Sequence, residues 1–289
     1  MWPFYQPVFG IQGKTSHINH AEVHRTSRWF FQFDIKDAFP SVDIEVIKEI
    51  ILNQLEREVE EYLIAHINIE EELLLEEGEY CRLLLKEKEL IKSSIFFPIS
   101  AEQLLWFRKS KGINKLVELI VKLTTFKGVV PQGAPTSPFL FYLSLLVGGL
   151  VDKIIEICDG RYFFSAYVDN FVISAEKPIP EKIRKKIFEA VTKSGFEINN
   201  EKTQYQDIRH GSPMITGLSI SQHKRVILPQ KKVEMIRGLT HRAIYDPELR
   251  PRAMGMVASI FPIYKEMPPP QIRASYYNLL LKIGEEKQV

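Results

Sequence analysis

The sequence predicts an α+β fold, and three observations carry that reading. Residues 28–35, "RWFFQFDI", are a strand-length apolar run that feeds an acidic turn, "KDAFPSVD". Residues 165–173, "SAYVDNFVI", are two short apolar segments joined at Asp169-Asn170, which reads as a β-hairpin. Around these, several long stretches keep the apolar spacing of helices.

At 289 residues the chain is long enough for one large domain, or for two to three subdomains sharing a core. With 45% hydrophobic and 26% charged residues it has the composition of an ordinary soluble globular protein, which excludes the disordered and fibrous classes. No apolar run reaches the ~18 residues of a membrane span. Met1-Trp2-Pro3 opens no signal peptide, so the expected setting is the cytoplasm, with no membrane partner. Cys81 and Cys158 lie far apart without ligand-like spacing, and reduced cytosolic thiols are expected. The net charge of +2 conceals an asymmetry. Residues 1–176 carry 18 Lys+Arg against 25 Asp+Glu, whereas residues 177–289 carry 20 against 11. A basic C-terminal third fits contact with a polyanion, and equally a solvated basic surface.

In chain order, residues 16–28 read as helical. His17, His20 and His24 would share one face there, as zinc ligands would, but no cysteine or fourth ligand is near. "GIQGKTS" resembles the end of a phosphate loop, yet its first glycine would have to fall at Val8 and no strand precedes it. From Ile44 to about Leu63, the positions Ile47, Ile51, Leu55, Val59 and Tyr62 keep helical spacing. Residues 56–90 are Glu-rich and read as helical with a break near Gly78. Residues 43–90 hold 15 acids against 5 bases, a poor surface for a nucleic acid backbone. That stretch is expected to face solvent, a protein partner or the chain's own basic part.

"FKGVVPQGAPTSPFLFYLSLLVGGLVDKIIEI" follows, a loop stiffened by two glycines and two prolines. Ser137-Pro138 then reads as N-cap and N1 of a long apolar helix. After the hairpin, Pro180 opens a helix with Ile183, Ile187, Ala190 and Val191 on one face and Gly195 as its stop. "FEINNEKTQY" reads as a strand and turn, and "MITGLSIS" (214–221) as a further short strand. From Gln230 onward three helices are expected, separated by "YDPELRP" and "MPPPQ".

Three elements therefore present chemistry: a strand ending in Asp34 and followed by Phe39, a Pro-Gln-Gly loop, and a hairpin with Asp169 at its tip. A lone Asp at a strand end is usually a cap or turn former. Two carboxylates on adjacent strands suit a pair of Mg²⁺ ions, because hard cations take oxygen ligands, one or two of them carboxylates, with substrate phosphates completing the shell.

The ordered set resembles the palm of reverse transcriptases. "FDIKDAFPSVD" looks like the family's first palm motif, "GVVPQGAPTSPFL" its second and "AYVDNFVI" its third. "SGFEINNEKT" resembles the fourth, and "ITGLSI" the primer-grip strand after it. The five cover roughly residues 28–221. "GKTSHINHAEVH" is similar to a segment of bacterial retron-type enzymes, related to group II intron reverse transcriptases, in which an Asn-Ala-x-x-His pattern occurs. Ala21 and His24 match it, and His20 stands where Asn is expected.

The resemblance implies a right-hand polymerase: a remnant of fingers over 1–27, and a palm over 28–221 with antiparallel strands packed on helices. An acidic helical insertion, finger-like or partner-binding, would occupy about 44–125, and a helical thumb 222–289. It implies RNA-directed DNA synthesis from dNTPs on an RNA template with a DNA or RNA primer, using two Mg²⁺, with Mn²⁺ as a substitute. Asp34 and Asp169 would ligate metal, joined by the Ile35 backbone carbonyl. Lys36, Asp37 and Ala38 would line the nucleotide site beside Ile35, with Tyr167 on the hairpin. Phe39 would sit under the sugar and exclude a 2′-OH, unless it is simply a core aromatic. Gln132 and Gly133 would form the loop under the incoming nucleotide. Lys202 would lie near the triphosphate as an acid for pyrophosphate, or else as a solvated surface residue. Ile215, Thr216 and Gly217 would aim the primer end.

Three departures stand out. Asn170 replaces the second Asp of Tyr-x-Asp-Asp and lacks the charge that helps hold the catalytic ion. The finger strands whose bases hold the triphosphate are not evident, leaving Lys14 and Arg25 as candidates. The acidic stretch lengthens the gap between the first two motifs. These favour an alternative: a weakened or template-independent relative serving nucleic-acid binding or antiphage defence.

Overall fold

Trp29–Ile35 is the strand on which its sheet is built. In the computed structural model of the chain, residues 8–9, 16–66, 111–264 and 268–286 are described. The chain divides into two units, residues 1–36 with 149–289, and residues 37–148. The first contains β1 (Val8–Phe9), α1 (His17–Glu22) and β2 (Trp29–Ile35), and resumes at α5 (Leu150–Cys158), β3 (Phe163–Tyr167), β4 (Asn170–Ala175), α6 (Glu181–Lys193) and β5 (Ile198–Asp207). It continues with β6 (Met214–Ile215), β7 (Leu218–Ile220), β8 (Val226–Ile227), α7 (Gln230–Tyr245), α8 (Arg250–Ala258), α9 (Phe261–Tyr264) and α10 (Pro270–Glu286). The second unit contains α2 (Ile44–His66), α3 (Gly112–Thr124) and α4 (Ser137–Val147).

The larger sheet has the order β1-β3-β4-β2-β5. All its pairings are antiparallel except the parallel edge pair β1–β3. Both faces of β2 are covered, so its apolar residues run consecutively rather than alternating. On one face Phe31 and Phe33 meet Phe188 of α6 at ring separations of 5.3 and 5.5 Å, and Phe33 stacks on Phe171 of β4 at 5.2 Å. On the other, Phe30 joins a core with Ala21 of α1, Ile215 and Leu218 of the small sheet, and Val233 and Ile236 of α7. One continuous core therefore binds α1, both sheets and the C-terminal helices.

The register of β2 against β5 slips beside Asp34: Gln32 faces Gln204, whereas Asp34 faces Asn199. The extra residues on β5 include Lys202. The strand-and-turn reading of this segment thus resolves into one strand carrying an irregularity.

Several expectations need correction. "MITGLSIS" is not one strand but the hairpin β6–β7, turned at Thr216 (φ +47) and Gly217 (φ +79), with β8 added beside it. The long apolar helix from Ser137 is two, α4 and α5. Gly149 takes φ +67 between them, and a Cβ on Gly148 would sit 2.6 Å from the Ser144 carbonyl. Ser137 is not the N-cap of α4. Thr136 is, and the Ser137 hydroxyl instead donates to the Pro131 carbonyl, closing the loop. Helix α1 ends at Glu22, short of residue 28. Among the described residues the C-terminal part holds four α-helices, α9 being a single turn.

Other local signals hold. Pro180 caps α6, whose C-terminus is a Schellman motif: Phe196 N–H donates to the Val191 carbonyl and Gly195 N–H to Thr192, with Gly195 at φ +83. In the second unit, Asp43 caps α2 through the Glu45 N–H at 2.9 Å. Ile47 and Val59 of α2, Val117 and Val121 of α3, and Leu140 and Phe141 of α4 are buried there. The acidic segment from 67 to 110, with Gly78 and Cys81, lies outside the described residues, as do Lys14 and "GIQGKTS" up to Thr15.

Candidate active site

Sheet register brings the first site residues together. Asp34, near the end of β2, pairs directly with Asn170, the first residue of β4. Asp169 precedes it in the two-residue turn after Tyr167, and its backbone carbonyl accepts the Ile35 N–H at 3.0 Å. The turn is strained: Val168, a β-branched residue, takes φ +54.

Both oxygens of Asp34 are engaged. The Asn170 amide donates Nδ2–H to Oδ1 at 2.8 Å, and the Lys202 ammonium donates to Oδ2 at 2.8 Å. Burial holds the Asp169 carboxyl above the usual carboxylate range, and the charge of Asp34 adds to that shift. The hydrogen bond to Asp34 and its charge raise Lys202 in turn. The pair is lopsided: the Asp34 side chain is 15% exposed and that of Lys202 is 62%. Asn170 therefore supplies what an aspartate there could not, a donor to a neighbouring carboxylate.

The oxygen of that same amide bears on cation binding. Asn170 Oδ1 is buried with no hydrogen-bond partner among the described residues, which is costly unless something else satisfies it. Two carboxylates and an orphaned amide oxygen form a hard, oxygen-only donor set of the kind Mg²⁺ takes. The residues present fit that ion with substrate and water supplying further ligands. Among the described residues, no group of three or more His, Cys, Asp or Glu side chains could hold a metal on its own.

The remaining expected residues divide between the two units. Lys36, exposed, pairs with Glu197 at 3.0 Å. Asp37 (φ +46), Ala38, Phe39, Gln132 and Gly133 belong to the second unit. Ala38 is buried, and Phe39 packs edge-on against Phe141 at 6.0 Å. Gln132 and Gly133 are exposed, with Gly133 at φ +90. Ile215 is buried beneath the β6–β7 turn, whose Thr216 hydroxyl donates to the His17 carbonyl at 3.1 Å. Arg25 is exposed and paired with Glu22 at 3.1 Å.

Sequence reading missed the layer under the hairpin. His24 is fully buried, with Nδ1 2.7 Å from the Ser174 hydroxyl and Nε2 against that of Ser165. Ser174 Oγ donates onward to Ser27 Oγ at 2.8 Å. His20 is equally buried, its ring 5.7 Å from that of Tyr167. Burial pushes the His20 imidazole down to about 3, and lowers His24 well below its ordinary value. The available signal was the matched Ala21 and His24. Short serines within an apolar hairpin gave no hint of their common partner.

Comparison with known proteins gives the family. The reverse transcriptase (RNA-dependent DNA polymerase) family profile matches residues 90–236, half of the chain, and the chain belongs to that family. The match includes Gln132, Asp169, Lys202 and Thr216; Asp34 precedes it, and joins the site through sheet pairing. The chain is 32% identical over 151 residues to the retron Ec86 reverse transcriptase of Escherichia coli, covering 50% of this chain and 46% of that protein. It thus spans about half the length of that relative. Two solved telomerases overlay weakly. The apo telomerase of Candida tropicalis gives a TM-score of 0.34 at 15% identity, over 67% of this chain and 34% of that one. The Candida albicans telomerase, with a fragment of telomeric RNA, gives 0.38 at 12%, over 94% and 48%.

Proposed function

We propose that this protein is a retron-like RNA-directed DNA polymerase that adds dNTPs to a primer 3′-OH on an RNA template. The observation that carries the reading is the pairing of Asp34 with the Asp169-Asn170 turn, two carboxylates and an unsatisfied oxygen at one end of a sheet. Asp34, Asp169 and the Ile35 carbonyl would hold two Mg²⁺, or Mn²⁺. When bound, such ions activate the attacking hydroxyl and stabilise the leaving pyrophosphate.

The chain's own groups do the rest. Asn170 Nδ2 holds Asp34 in one orientation. Lys202 Nζ neutralises Asp34 while no cation is present, and its proton is held tightly by that ion pair. Released from Asp34, Nζ would be free to turn to the triphosphate and would be a stronger acid toward pyrophosphate. Phe39 would exclude a 2′-OH, with Phe141 backing its ring. In this reading β2 to β7 form the palm and residues 222–289 the thumb, with the acidic insertion of about 44–125 finger-like or partner-binding.

Asn170 favours a second reading, a weakened or template-independent relative serving antiphage defence, because the amide adds no charge toward a cation. Primer extension on an RNA template with four dNTPs decides between them, run in Mg²⁺ and in Mn²⁺. Templated product from wild type, abolished in Asp169→Ala, is the expected result, with Asn170→Asp raising yield in Mg²⁺. Product that ignores the template would support the second reading, and silence from wild type and Asn170→Asp alike would overturn a self-sufficient polymerase.

A further inference from the structure

We infer that α1 is a strut that couples the Asp169 hairpin to the Thr216-Gly217 turn, with His24 as the positioning residue at one end. Each face of this six-residue helix and its exit holds a different working loop. Toward the hairpin, one imidazole bridges both strands, Ser165 of β3 and Ser174 of β4. The hydrogen-bond order follows from the hydroxyl of Ser174, whose proton goes to Ser27. Ser174 Oγ must then accept from His24 Nδ1–H, leaving Nε2 as acceptor for the Ser165 hydroxyl. A neutral imidazole has one donor and one acceptor, and this chain uses both. His20 adds the covering contact on Tyr167, two residues before Asp169, and meets His24 edge-on at 5.9 Å.

Toward the other loop, the His17 carbonyl holds the Thr216 hydroxyl, and Ala21 lies in one buried cluster with Ile215, Leu218 and Ile220. Thr216 is β-branched at φ +47, a backbone state that persists only where surroundings impose it. The Ser16–Asn19 capping box fixes the start of the helix between these two attachments. A helix of fewer than two turns has little room to bend, so movement at either end reaches the other. That the two loops carry the metal-binding carboxylate and the primer end rests on the polymerase reading. The mechanical coupling does not.

Amide hydrogen exchange on the full chain tests the coupling without activity. Thr216→Val removes one half-buried hydroxyl whose hydrogen bond goes to the His17 carbonyl rather than to the hairpin, yet is expected to speed exchange over 163–175 about fivefold. His24→Leu is expected to speed exchange over 213–220 by a similar factor while α8 and α10 stay unchanged. In extension assays both lower kcat about tenfold, as misplacement does, with little change in the KM for dNTP. Should His24→Leu fail to fold, Thr216→Val decides alone. Exchange over 163–175 that matches wild type in Thr216→Val overturns the strut even if the protein extends primers. Coupled exchange in an inactive protein upholds the strut and overturns only the polymerase reading.

Discussion

Asp34 is satisfied on both oxygens by this chain, and each bond belongs to a different strand. The amide of Asn170 gives a donor where an aspartate would give a third negative charge beside Asp34 and Asp169. Asn170→Asp is therefore expected to destabilise the protein in EDTA by about 1–3 kcal/mol, from the missing bond to a charged acceptor and from like-charge repulsion. Divalent cation should restore most of that stability, because it neutralises the same cluster. Thermal melts with EDTA, Mg²⁺ and Mn²⁺ measure it; a variant as stable as wild type in EDTA would sink the account. The two aspartates were legible in the sequence because each ends an apolar run. Their bond partners were not. The Lys202 ion pair depends on a register slip, and nothing in "NNEKTQ" says where a ladder loses step.

At the scale of elements, α1 makes a statement about acid. His20 and His24 are neutral in the fold and have ordinary values in the unfolded chain. Below pH 6.5 the unfolded state takes up their protons and the folded state does not, so stability falls with falling pH. For His20 the window runs from about 6.5 down to about 3. Each histidine contributes a slope of about 1.4 kcal/mol per pH unit inside its window. Denaturant melts from pH 7 to pH 5 should show that decline, and His20→Leu should flatten it if the variant folds. A flat profile in wild type would contradict the burial of both rings. The sequence placed three histidines on one helical face, but the helix ends at Glu22 and the His24 N–H turns back to the Ala21 carbonyl. That early turn converts a surface stripe into a buried pin. By contrast α6 was readable to its last residue, because Pro180 and Gly195 act through their own backbone preferences rather than through distant partners.

Across the whole molecule, part of the charge asymmetry found in the sequence lies on α7. Lys231, Arg237 and Arg242 are exposed on α7, opposite its buried Val233, Ile236, Leu239 and Ala243. If that face binds nucleic acid, affinity must fall steeply with salt. Replacing the three by Ala should flatten the slope of log K against log salt by about 0.9 for each duplex phosphate left without its cation. Titration of a labelled primer–template at several salt concentrations checks this, and an unchanged slope would leave the patch as solvated surface. The α+β class and the strand order of the hairpin were legible because they follow local apolar runs. The division into units was not, since it depends on which distant segments return to β2.

That return has a temporal side. Trp29–Ile35 leaves the ribosome well before its neighbours on either side, β4 and β5, which are complete only at Ala175 and Asp207. At synthesis rates of about 5–20 residues per second the wait is roughly ten to thirty seconds. Throughout it "WFFQF" is a sticky, uncharged segment without a mate, the kind that chaperones clasp and that stalled chains aggregate through. The strand that later carries Asp34 is thus exposed to misassociation in the nascent chain until its partners arrive.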